Sequence, residues 1–215
     1  MGGAGNVRNY GMFTITTHFP PKWQPHCGTQ GIFMHGFEEI LRSSTEAIEK
    51  SFFQLPVAGQ DDPIYRERVY CYELYHQLRT RWPEGCRYSL SGEVDKSNHP
   101  LIREDSRLNK KKPDMLIHVP GNIDNYLALE IKPITGKKDQ LKKDLETLTA
   151  FRIYGHYRRA ILLIYGNSDR TFSEMHQKLN SIVKKDNETK KLIDKTLIEI
   201  WHHHKEKTPA TNKGW

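Results

Sequence analysis

Asp114, Glu130 and Lys132 are the residue types that build a hard-cation site beside a phosphate. Asp114 follows Pro113, fifteen residues separate it from Glu130, and Lys132 stands two positions further on. Met115 to Val119 is a short apolar run, and Tyr126 to Lys132 is a second. Between them Pro120-Gly121-Asn122 and Asp124-Asn125 are turn formers, so the segment reads as a β-hairpin. Side chains alternate faces along a strand. Tyr126, Ala128, Glu130 and Lys132 therefore share one face, and Leu127, Leu129 and Ile131 share the other. In an antiparallel pair Asp114 lies at the same end as Glu130, and the two carboxylates converge. Carboxylates held together repel and call for a cation between them. Hard oxygen ligands at that separation suit Mg²⁺, with Mn²⁺ as a substitute. A neighbouring lysine is a point charge suited to holding a phosphate or an attacking water.

The elements around the hairpin must position these groups. Asp62-Pro63 supplies a cap and a first-turn proline for a helix over Ile64 to Trp82. At about 100° per residue, Glu67, Tyr70, Cys71, Leu74 and Leu78 form one stripe, which puts a carboxylate on the apolar face. A buried charge is costly unless paired, so Glu67 reads either as an ion pair at the helix start or as a third acid aimed at the site. Glu73 points about 120° away, toward a mixed face, and is the reserve candidate. Arg87 to Asp95 alternates as a half-buried strand. The polar excursion that follows carries Lys110, Lys111 and Lys112 directly before Pro113, a run suited to phosphate contact. After Pro133 and the Thr135-Gly136 turn, Lys137 to about Tyr154 is amphipathic, with Leu141, Leu145, Leu148 and Phe151 in a stripe. Lys137, Lys138, Lys142 and Lys143 crowd its first turns against the helix dipole, a cost that a bound phosphate backbone would offset. Gln140 lies on the same first turn. Ala160 to Tyr165 reads as a central strand covered on both faces. Thr171 to Val183 reads as a capped amphipathic helix, Glu188 to Asp194 as a short helix and Thr196 to Trp201 as an edge strand.

Pro113-Asp114, then Glu130-Ile131-Lys132, set within the order helix, three strands, helix, strand, resembles the signature of the PD-(D/E)xK nuclease superfamily across about residues 62 to 202. The resemblance implies an α/β fold with a restriction-endonuclease-like αβββαβ core, a central mixed sheet flanked by helices, and an N-terminal helical extension. It implies metal-assisted phosphodiester hydrolysis, most simply by a DNA endonuclease of a bacterial or phage defence or mobile-element setting. Asp114, Glu130 and the Ile131 carbonyl would hold Mg²⁺, Glu67 would bind or orient a second ion, and Lys132 would position the water. Gln140 matches a position where some members carry a polar residue beside the site. Two other readings stand beside this one. The first keeps the fold without the chemistry, as a subunit that binds nucleic acid or a protein partner. The second makes Asp114, Glu130 and Lys132 an ordinary salt-bridge cluster.

With 215 residues the chain is long enough to bury a core without disulfides. The divisions expected are residues 1-60 as an N-terminal extension with one helix from Phe37 to Leu55, 61-204 as the core, and 205-215 as a flexible tail. A formal charge of +7 favours a polyanionic partner, most simply nucleic acid, and the resemblance implies DNA as the favoured one. A homodimer or a partner subunit is compatible with cutting both strands of a duplex. Three cysteines without metal spacing argue for reduced thiols and a cytoplasmic setting, and no apolar run is long enough to span a membrane. His18, His26, Cys27 and His35 match no zinc pattern, Phe13 to Thr17 reads as a short strand, and His202-His203-His204 reads as basic surface.

Overall fold

The computed structural model describes residues 30–92, 107, 108, 111–167 and 169–215. The strand expected at Phe13 to Thr17 and the histidines at 18 and 26 lie outside these residues, as does Lys110. The described elements run α1 (Gln30–Glu46), α2 (Lys50–Phe53), α3 (Glu67–Thr80), β1 (Ser89–Gly92), β2 (Met115–His118), β3 (Asn125–Pro133), α4 (Lys138–Ile153), β4 (Arg159–Tyr165), α5 (Asp169–Thr189), β5 (Glu199–His203) and β6 (Thr211–Asn212). The six strands form one sheet in sequential order. β1, β2 and β3 pair antiparallel, β4 and β5 continue parallel to β3, and β6 closes the edge antiparallel to β5. The architecture is thus α/β, with a mixed open sheet flanked by helices.

Two apolar layers sandwich the sheet. On one face Leu127, Leu129, Ile131, Ile161 and Leu163 pack with Phe37 and Leu41 of α1, Phe53 of α2, and Tyr70, Leu74 and Leu78 of α3. On the other, Ala128, Ala160, Leu162 and Ile164 pack with Leu141, Leu145 and Leu148 of α4 and Met175 and Leu179 of α5. Parallel strands joined by helices are covered on both sides, which is why every residue of β4 after Arg159 is buried.

The hairpin adopts the expected antiparallel register, with Met115 opposite Leu129 and Ile117 opposite Leu127. Gly121 turns the chain at φ +72°, a conformation that suits glycine. The pairing then slips, so that His118 faces Asn125. This bulge leaves Tyr126 beside Leu127 in the α1–α3 layer, edge-on to Phe37 at 6.0 Å between centroids. Strict alternation had placed Tyr126 on the face of Glu130.

Several boundaries differ from expectation. One long helix over Phe37 to Leu55 is instead α1 and the short α2, and the chain through Pro56 to Pro63 returns on itself through a Leu55–Ile64 bridge. Because α1 and α2 share the core of α3 and the sheet, residues 37–53 have no core of their own. Glu188 to Asp194 is the end of α5 followed by a loop, in which the Asp186 carboxylate accepts from the backbone N–H groups of Leu192 and Ile193 at 2.7 and 2.8 Å. The C-terminal stretch expected to be a flexible tail carries β6, and Ala210 within it is fully buried. His202 and His203, expected at the surface, are also buried, at 1% and 0% exposure. Among the described residues no helix is long and apolar enough to cross a membrane.

Candidate active site

β2 begins one residue after Asp114 and is paired with β3, which sets Asp114 against the C-terminal half of β3. The Asp114 Oδ2 atom accepts the Ile131 backbone N–H at 2.7 Å. That bond takes up one oxygen of a half-buried carboxylate and fixes its direction. Glu130 is 4% exposed and Lys132 6%, so the strand carries a carboxyl and an ammonium into the interior on the same face as Ala128. The Lys132 Nζ atom donates to Glu67 Oε1 at 2.8 Å and to the Ile131 carbonyl at 3.1 Å. It also lies 3.5 Å from Asp144 Oδ2, on the second turn of α4.

The electrostatics follow from crowding. Burial pushes the Glu130 carboxyl well above its ordinary range, and the facing Asp114 and Asp144 push it further. Burial also raises Asp114, against the opposing pull of Lys132 and the Ile131 N–H. For Asp144, burial outweighs the attraction of Lys132, and the carboxyl is pushed up to about 7. Burial works to lower the Lys132 pKa, but Asp144, Asp114 and Glu67 outweigh it and hold the ammonium charged. Cys71 stands at the rim with its thiol pushed up by burial and then by Asp114 and Glu67, so it stays protonated and is a poor nucleophile.

Glu67 therefore reaches the site, but through Lys132: its side chain is 36% exposed at the first turn of α3, at the margin of the stripe that Tyr70, Leu74 and Leu78 bury. Glu73 bonds to Gln77 on its own helix, 2.6 Å from Nε2. Lys112, Lys137, Lys138 and Gln140 are exposed and Lys111 half-buried, and none of them joins the buried cluster. The acid that sequence reasoning missed is Asp144. It lies between Lys143 and Leu145, and its signal was a carboxylate one residue before a stripe leucine.

The donor set fits a hard divalent cation. Burial raises both the Asp114 and Glu130 carboxyls, and Asp114 raises Glu130 further, a repulsion that a cation would relieve. Among the described residues no group of three His, Cys, Asp or Glu side chains is placed to hold a metal ion by itself; the donors such an ion would draw on are the Asp114 and Glu130 carboxylates and the Ile131 carbonyl. An open cleft of about 510 Å³ leads to Asp114 between α3 and the end of β1.

Comparison with family models, curated proteins and solved structures returned no match. The functional reading accordingly rests on the geometry of the site.

Proposed function

We propose that the chain is a metal-dependent nuclease of the PD-(D/E)xK type, hydrolysing phosphodiester bonds in nucleic acid, with DNA the favoured substrate. The observation that carries this reading is the pair of facing carboxyls, Asp114 and Glu130, both raised by burial, with Glu130 raised further by Asp114, beside a buried, charged Lys132. Groups with perturbed pKa values beside a cleft are characteristic of active sites. The order α3-β1-β2-β3-α4-β4 supports the reading as well, since the superfamily core has that order.

Asp114, Glu130 and the Ile131 carbonyl would hold Mg²⁺ or Mn²⁺. Such an ion lowers the pKa of a bound water and offsets charge building on the phosphate oxygens. Lys132 supplies a fixed positive charge at the same point, suited to orienting a water or a phosphate oxygen. Glu67 and Asp144 hold that ammonium in place from the α3 side and the α4 side.

The test is cleavage of supercoiled plasmid, linear duplex and single-stranded DNA with Mg²⁺ or Mn²⁺, against an EDTA control. Asp114→Ala, Glu130→Ala and Lys132→Ala are each expected to reduce cutting by at least about a hundredfold, the scale of a lost catalytic electrostatic contact. Full activity in any one of them would overturn the assignment. Absence of both cutting and Mn²⁺ uptake would instead favour a binding subunit that keeps the fold without the chemistry.

A further inference from the structure

The cleft that reaches Asp114 has an aromatic wall. Arg68, Tyr72 and Tyr75 on α3 are spaced i, i+4 and i+7, so they follow one another along the helix. All three line the cleft together with Glu67, Cys71 and Asp114. The opposite side of α3 is fully buried through Tyr70, Leu74 and Leu78. Tyr72 is the outlier: it is 65% exposed, and among the described residues its hydroxyl and ring have no hydrogen-bonding or aromatic partner. Tyr75 is half-buried, its ring lying over the end of β1, 3.7 Å from where a side chain on Gly92 would begin. The cleft therefore offers an exposed ring beside an anchored one, a guanidinium one turn before them, and the carboxylates at its inner end. Its volume, about 510 Å³, is within the range of small-ligand sites.

Helix packing gives no reason for an exposed tyrosine here. A ring face beside a cation is what an unpaired nucleobase and its phosphate require: bases stack on aromatic side chains whatever their sequence, and arginine meets the backbone. Bases inside a duplex have their faces covered by their neighbours and cannot use such a ring. The chain's net charge of +7 also suits a polyanion.

We infer that Tyr72, with Tyr75 and Arg68, forms a stacking platform for an unpaired nucleotide next to the Asp114–Glu130 pair, and that the chain takes single-stranded nucleic acid in this cleft. The inference deepens the nuclease reading by naming the form of its substrate, and it is tested without catalysis.

Binding of a fluorescent oligothymidylate of about 12 nucleotides, within the site size of single-strand binders, is followed by anisotropy with the full chain in EDTA. A duplex of matched length is the comparison. The wild type is expected to bind the single strand more tightly than the duplex. Tyr72→Ala is expected to weaken single-strand binding about tenfold, the loss of one stacked base, and to leave duplex binding unchanged. Tyr72→Phe, which keeps the ring, is expected to retain the affinity. Unchanged single-strand affinity in Tyr72→Ala, an equal loss on the duplex, or a wild-type preference for the duplex would each overturn the inference. If Tyr72→Ala loses binding while the wild type cuts nothing in Mg²⁺, the platform stands and the nuclease reading falls.

Discussion

Lys132 sits where three acids meet: Glu67 at 2.8 Å, Asp144 at 3.5 Å, and Asp114, whose charge also raises the lysine. Removing the ammonium would leave buried acids facing one another without compensation. Breaking a buried charge cluster by deleting one partner costs about 3–5 kcal/mol, so Lys132→Ala is expected to lose stability as well as cutting. Glu130→Gln should do the reverse to stability. It keeps the shape of the side chain while removing a carboxyl that burial and Asp114 disfavour, and a gain of about 1 kcal/mol is expected near pH 8. Urea unfolding of the two variants in metal-free buffer measures both. A destabilised Glu130→Gln alongside a destabilised Lys132→Ala would mean that the cluster is built for stability and not for binding a cation.

At the scale of elements, β5 shows what a strand does to its residues. His202 and His203 face opposite sides of a sheet that is covered on both, so both are buried. His202 stacks on Phe172 at 4.2 Å between ring centroids, with its Nε2 3.1 Å from the Gly166 carbonyl. His203 packs edge-on to Phe53 at 4.9 Å, and its Nδ1 lies 2.7 Å from the Tyr70 hydroxyl. Burial pushes the His203 pKa down to about 3, from an ordinary 6.5. Between these values the unfolded chain binds a proton that the folded chain refuses, so this group's contribution to stability falls as pH drops from about 6.5 toward 3. The raised carboxyls run the other way: the Asp144 contribution is complete near pH 4 and is lost as pH rises through about 7. The two trends overlap, so the comparison between proteins isolates the histidine. The thermal midpoint of His203→Gln relative to wild type should rise on acidification from pH 6.5 to 4. A difference that stays constant over that range would show that His203 protonates freely in the folded protein.

Over the whole molecule, the two ends of the described chain are clasped. The buried Ala210 N–H donates to Thr45 Oγ1 at 2.8 Å and the Lys207 N–H to the Ile48 carbonyl at 3.1 Å. The Arg159 guanidinium bonds both oxygens of Glu199, at 2.7 and 2.6 Å, and meets Glu38 of α1 at 3.0 Å. The first helix and the last strand are thus joined to the central strands on the side of the sheet away from β1. Thr45→Val keeps the shape of the side chain and strands the Ala210 N–H. It should cost about 1–3 kcal/mol, seen as a lower urea midpoint with an unchanged slope. An unchanged midpoint would mean that water or a neighbouring carbonyl replaces the threonine.

The sequence by itself determined the central elements of the sheet, the helix that follows the hairpin and the spacing of the motif. Alternation in Tyr126 to Lys132, the unbroken apolar run Ala160 to Tyr165 and the stripe Leu141-Leu145-Leu148 are local periodicities, and each names its own strand or helix without reference to the rest of the chain. The pairing of Asp114 with Glu130 followed too, because a hairpin brings its own ends together. Tertiary structure alone decided the rest. Asp144 joins Lys132 only because α4 lies across β3, and Glu67 turns to the same lysine only because the first turn of α3 meets the end of that strand. The burial of His202 and His203 depended on Phe172 and Phe53 covering the two faces of the sheet at β5, and that of Ala210 on its bond to Thr45 of α1. Periodicity records which side of an element is apolar. Which distant charge it will meet is set by packing between segments far apart in sequence, and no local pattern carries that information.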